Sequence, residues 1–200
     1  MKRFLSFFLV FSMAVGFTLP GFASAKSQSD SQKSPIEVLK QTENSSTFIL
    51  KDNDGKEYLF EQTTKNPGKS TEKIVVKQFL LENSKKTLVK TSSADVQKAK
   101  ANIMKKCHGI SGRKGNILFL NSCVVKKVLD IVDDASSASG AIAGITALLR
   151  TIPQVSVIAG AVAGVLWVEK FLIDKVSAGG KYGIYFVIVF NKPSPIPIRQ

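Results

Sequence analysis

From Ala135 to Val168 the chain runs for 34 residues with one ionisable side chain, Arg150, and such a stretch must be covered by protein or by lipid. Proline cannot donate a backbone hydrogen bond and disfavours helix in the residue before it, so Arg150-Thr151-Ile152-Pro153 splits the stretch into two apolar arms. Each arm reads as one limb of a helical hairpin, with Arg150 and Pro153 at its turn. The limbs repeat each other. Gly140-Ala-Ile-Ala-Gly144 is answered 20 positions later by Gly160-Ala-Val-Ala-Gly164. In a helix, G-x-x-x-G puts two positions without side chains on one face, so the limbs are expected to pair through Gly140, Gly144, Gly160 and Gly164.

Length bounds what the hairpin does. A bilayer crossing takes about 20 apolar residues, whereas the first arm supplies 15 before Arg150 and the second 18 before Glu169. Two readings therefore stand together: the core hairpin of a soluble protein, and a hairpin that enters lipid when conditions change. The arms fit conditional insertion better than two permanent spans.

The beginning of the chain reads as an export signal. Lys2 and Arg3 precede an apolar run from Phe4 to Leu19, and Ala23-Ser24-Ala25 supplies the small residues of a cleavage site, so residues 1–25 are expected to leave and Lys26 to begin the mature chain. Losing Lys2 and Arg3 takes the formal net charge from +13 to +11. In an exported protein that balance points to an anionic membrane or cell-wall surface and not to nucleic acid, for which no recognition motif is present. Cys107 and Cys123 are the only cysteines, and oxidising surroundings make a disulfide between them the expectation, closing a 17-residue ring.

Read in order, residues 26–34 form a polar leader and residues 35–106 a β-rich region. Ile36–Gln41 suits a short strand or one helical turn. Thr47–Lys51 and Glu57–Glu61 flank Asp52-Asn53-Asp54-Gly55 as a hairpin. Lys73–Leu81 and Thr87–Lys90 form a second, its lysines on the open face and edges. Ser92 or Ser93 stands where a cap belongs for a connector helix over Ala94–Lys105. In residues 107–190 the disulfide ring precedes an apolar strand at Asn116–Leu120. Asn121 or Ser122 caps an amphipathic helix over Val124–Asp134, and after the hairpin the second arm continues as helix to Lys175. Gly179-Gly180 ends that helix, Tyr182–Phe190 is β-prone, and residues 191–200, with three prolines, read as polyproline II. The fold class is α+β.

Residues for catalysis are sparse. His108 is the one histidine, the carboxylates are scattered, and a lone histidine beside two cysteines cannot complete a zinc set. Asp52–Gly55 lacks the first acidic ligand of a calcium loop, and Gly112-Arg113-Lys114-Gly115 lacks the spacing of a phosphate loop. The reading is of a non-enzymatic protein without metal or cofactor.

An export leader, a lysine-rich middle, two cysteines ahead of the apolar part and a Gly/Ala/Val-rich second half together resemble the precursors of secreted bacteriocins of Gram-positive bacteria, in the layout of the sporulation-delaying killing factor family. The resemblance covers Cys107 to about Phe190 and is one of layout. It implies a processing protease that frees a hydrophobic peptide, collapse of the target's membrane potential, and a membrane immunity protein as partner. The chain departs from it in the 16-position spacing of its cysteines and in the Tyr182–Phe190 strand. In outline the hairpin is also similar to the buried hydrophobic hairpin of pore-forming colicins. The function expected is that of an exported cationic antimicrobial or toxin precursor. Lys105, Lys106, Arg113, Lys114, Lys126 and Lys127 would draw it to an anionic membrane, and Trp167 would anchor the hairpin at the interface. The alternatives are a soluble secreted or wall-associated binding protein and an envelope protein anchored by the hairpin.

Overall fold

Short runs of alternating polarity separated by turn residues fold as a meander. The computed structural model describes residues 36–52, 54–83, 85–101, 107–189, 192–193 and 197–200. The expected export signal, the polar leader, Lys105, Lys106 and part of the proline-rich tail lie outside these residues.

Five antiparallel strands, β1 (Ile36–Gln41), β2 (Ser45–Lys51), β3 (Glu57–Lys65), β4 (Lys73–Glu82) and β5 (Lys85–Asp95), form a sheet in chain order. The β2–β3 turn closes because the Asp52 carboxylate accepts the N–H groups of Asp54 and Lys56 at 3.0 and 2.8 Å while Gly55 takes a φ of +80°. A second sheet runs in the order β10 (Ile198–Arg199), β8 (Ile184–Val189), β7 (Ile117–Leu120), β6 (Gly112–Lys114), with β9 (Lys192–Pro193) also pairing with β8. The helices are α1 (Val96–Ala101), α2 (Ser122–Asp134), α3 (Ala138–Arg150), α4 (Ala159–Val168) and α5 (Lys170–Ser177), with a 3₁₀ turn at Ser156–Ile158 before α4. The α+β class read from the sequence is the one observed.

Alternation along the strands aims one row of side chains at the helices. Phe48 and Phe60 stack there with ring centroids 5.4 Å apart, and with Leu50, Ile74 and Val76 they join Ile142, Ile145, Leu148, Leu149 and Leu166 of the hairpin in one core. That core also takes in Leu118, Leu120 and Ile184 of the second sheet, so residues 35–106 and 107–190 share an interior.

Three expectations need correction. The connector helix begins at Val96 and not at Ala94, because Ser92–Asp95 continue β5. Their partners on β4 run from Val76 to Lys73, and the Ser92 hydroxyl bonds that of Ser139 on α3 at 2.9 Å, so tertiary pairing overrides the capping signal. The second arm does not run straight to Lys175. It breaks at Glu169, and the segment Ser156–Val168 meets α5 at 81°, which lets Ile173 enter the core and Lys170 pair with Asp133 of α2. At the other end of the chain, Ile198 and Arg199 are not polyproline II but pair with Tyr185 and Ile184 of β8.

Helix α4 crosses β2 so closely that a Cβ at Gly160 would lie 2.1 Å from the Ser46 Oγ and 2.6 Å from the Gln62 Oε1. Replacing Gly160 by alanine is expected to cost about 1–3 kcal/mol through overpacking. At Gly140 the nearest atoms stand 3.2 and 3.9 Å away, so Gly140→Ala should be near neutral. Urea unfolding of the two variants side by side measures the contrast.

Candidate functional site

The hairpin is the most apolar part of the described chain, and its surroundings define the site. Ser137 caps α3, its hydroxyl accepting the Gly140 N–H at 3.2 Å. The polar residues inside α3 are satisfied locally: the Thr146 hydroxyl donates to the Ile142 carbonyl at 2.7 Å, and Ser139 meets Ser92. At the turn, the Thr151 hydroxyl donates to the Leu148 carbonyl and the Ser156 hydroxyl to the Pro153 carbonyl.

Arg150, the lone charge, is spent on holding the turn to the sheet. Its Nε lies 2.6 Å from the Glu72 carboxylate in a largely buried ion pair, and its Nη1 donates to the Glu43 carbonyl at 2.8 Å. Glu72 in turn accepts the Gly68 N–H. Both carboxylate oxygens and two of the three guanidinium nitrogens are thus engaged where an unpaired charge would be costly.

The glycine notches do not face each other. Gly144 receives Ile131 of α2, Gly164 receives Phe48 and Ile36, and Gly160 sits over Ser46 and Gln62; Gly140 lies beside Ser137. The pairing of limb on limb through these four residues, expected from the repeat, is therefore not the arrangement of the structure, because the sheet and α2 fill the notches instead. Ser46, Gln62 and Thr64 form a buried chain of hydrogen bonds beneath α4. Trp167 lies at the end of α4, partly buried against the core.

The disulfide between Cys107 and Cys123 is formed, its ring enclosing β6 and β7. The described cationic residues fall into two groups. Arg113 and Lys114 lie on β6, where the Arg113 Nε donates to the Gly115 carbonyl, whereas Lys126 and Lys127 lie on α2. Pattern reading missed two further features. At the foot of the hairpin, Phe171 is 75 % exposed and Leu172 40 %. Their helical spacing concealed this, since the bend that turns them outward depends on α2. On the sheet face turned away from the helices, the register aligns Ile49, Leu59, Phe79 and Leu88 in one row across four strands, and the Lys86 ammonium lies 3.9 Å from the Phe79 ring centre. Leu59 is buried in that row yet stands outside the main core.

Among the described residues no three His, Cys, Asp or Glu side chains converge to hold a metal ion. No single helix there is long and apolar enough to cross a membrane, although Ser156–Val168 with α5 passes that test as a bent pair. Comparison with models of protein families, with curated proteins and with solved structures finds no match.

Glu169 occupies the bend, and among the described residues no cation pairs with it. Partial burial pushes its carboxyl above the ordinary value of 4.5. A folded state that holds this proton more tightly than the unfolded chain gains stability from Glu169 as pH falls through the raised value toward 4.5, and loses it as pH rises. Glu169→Gln is therefore expected to raise the urea midpoint at pH near 7, with the gain shrinking as the medium is acidified into that window; unfolding curves across pH check it.

Proposed function

We propose that this chain is an exported cationic protein that acts on anionic membranes as a bacteriocin-like antimicrobial, its helical hairpin being the part that enters lipid. The observation that carries the reading is the exposed Phe171–Leu172 pair at the foot of a hairpin whose one charge is at its tip. Aromatic and aliphatic side chains next to Lys170 and Lys175 suit the interface of an anionic bilayer, where each nearby lysine adds up to about 1 kcal/mol. Trp167 stands one turn before them, at the boundary between apolar limb and charged bend.

The dimensions favour a wedge over a span. Helix α3 has 13 residues and α4 has 10, about 20 and 15 Å at 1.5 Å per residue, against a hydrocarbon core of about 30 Å. A hairpin of that depth displaces lipid in one leaflet and loosens the bilayer without crossing it. Recruitment uses Arg113, Lys114, Lys126 and Lys127, and the apolar limbs supply the partition energy once the sheet lets them go. The export signal, the processing protease and the immunity partner belong to this same proposal, and no catalytic step is part of it.

Adding the disulfide-bonded chain to dye-loaded vesicles tests it. Dye is expected to leave phosphatidylglycerol vesicles and to stay in phosphatidylcholine ones, and Phe171→Asp with Leu172→Asp should slow release at least about tenfold by removing the interfacial anchor. Retention of dye by both vesicle types sinks the proposal. It would favour the second reading, a soluble secreted or wall-associated binding protein in which the hairpin is core, for which the burial of nine of the 13 residues of α3 speaks.

A further inference from the structure

The segment Ile198–Gln200 makes more specific contacts than an edge strand needs. The Gln200 carboxamide sits in a socket made by the disulfide ring and the ends of β7 and β8. Its Nε2 donates toward the carbonyl oxygens of Ile184 at 2.7 Å, Leu120 at 3.2 Å and Ile110 at 3.3 Å, while its Oε1 accepts the Ile110 N–H at 3.0 Å. The Gln200 backbone N–H donates to the Gly183 carbonyl at 2.9 Å.

Two glycines leave room for it. A Cβ at residue 109 would lie 2.5 Å from the Gln200 Oε1, and one at residue 183 would lie 3.3 Å from the Gln200 Cδ and 2.8 Å from the Leu120 carbonyl oxygen. Three acceptors and one donor converging here suit a primary amide, whose two N–H groups are shared among the carbonyls while its oxygen accepts; a carboxylate has nothing to donate, and an ammonium cannot accept.

The neighbouring residue ties the same segment to the hairpin's foot. The Arg199 Nε donates to the Val176 carbonyl of α5 at 3.0 Å, and its guanidinium lies 4.4 Å from the Tyr182 ring centre. Disulfide ring, β8 and α5 are thus joined through two adjacent side chains. Because Ile198 is 44 % exposed and Arg199 and Gln200 also face solvent, the joint can open from outside without disturbing the core beneath.

We propose that Ile198–Gln200 is a strap, locked by a carboxamide-reading socket, whose release frees α5 and the foot of the hairpin. Its meaning for lipid rests on the membrane reading above; its existence does not. A held strap keeps α5 folded back along α2, with Phe171 and Leu172 on the surface and the limbs under the sheet. Once it is released, α5 loses the Arg199–Val176 tie and keeps Ile173, Val176, buried Ser177 and the Lys170–Asp133 pair, so the helix can loosen at its exposed face while its inner side stays docked.

Hydrogen exchange read by mass spectrometry on the full chain tests the strap with no membrane present. Gln200→Glu keeps the shape, removes the donors and sets a negative charge against three carbonyls. Gln200→Met keeps the bulk without the hydrogen bonds, and Arg199→Ala removes the tie to Val176 alone. Amides of Lys170–Ser177 and Ile184–Val189 are expected to exchange at least about tenfold faster in Gln200→Glu, by an intermediate factor in Gln200→Met, and in Arg199→Ala faster in Lys170–Ser177 only. Unchanged exchange in Gln200→Glu overturns the proposal, and so does a Gln200→Met variant indistinguishable from wild type, since the socket would then be reading volume and not an amide. The same variants added to phosphatidylglycerol vesicles separate the two claims. Faster exchange with earlier dye release supports both, whereas faster exchange with no dye release from any variant keeps the strap and counts against the membrane reading.

Discussion

An apolar hairpin must find cover, and in this protein the cover is a sheet made by the preceding part of the chain. Helices α3 and α4 lie across the inner face of the meander, close enough that strand side chains occupy the space a Cβ would need, Ser46 and Gln62 at Gly160 and Phe48 and Ile36 at Gly164. Most other features follow from that contact. The inner face of the sheet carries the fully buried Phe48, Phe60, Ile74 and Val76 because that face is the roofed one, Arg150 is neutralised by Glu72 because the turn comes down on the β3–β4 connection, and the buried Ser46, Gln62 and Thr64 satisfy one another because α4 above them offers only backbone and small residues. Small residues in the limbs thus serve close approach, although the partners approached are the sheet and α2.

Local signals were legible in the sequence where a neighbour within a few residues decides the outcome. The Asp52–Gly55 turn with the strands that flank it, the second hairpin that follows and the Asn121 cap of α2, whose side chain accepts the Val124 N–H, all belong to this class. So does the division of the apolar stretch at Arg150, and so, through compartment chemistry, does the Cys107–Cys123 bond. Elements whose state is set at a distance were not legible. Ser92–Asp95 carry a helix-start pattern, but β4 lies beside them with free hydrogen-bonding groups and recruits them as strand. The bend at Glu169 has no proline or glycine to announce it and owes its place to the burial of Ile173 and to Asp133 of α2.

The same distinction governs the candidate site. Repetition of the glycines announced that something would come close, without saying what, because a notch records only the absence of a side chain. Phe171 and Leu172 looked like the continuation of a buried limb until the 81° turn set them outward. Gln200 was the least visible of all: a polar residue in a proline-rich context reads as solvent-facing, and the five groups that hold it come from four residues, Ile110, Leu120, Gly183 and Ile184, none of them nearby in the chain.

The common interior bears on the processing protease that belongs to the proposed function. A protease acting between Ala101 and Cys107 would sever the backbone, yet Phe48, Phe60, Ile74 and Val76 would still grip Ile142, Ile145 and Leu166 from the other fragment. The product would be a nicked complex held by apolar contact, and no free peptide would diffuse away. Scission would prime such a molecule, and the solvent that finally parts the two pieces would have to be one in which hydrocarbon is no longer at a disadvantage.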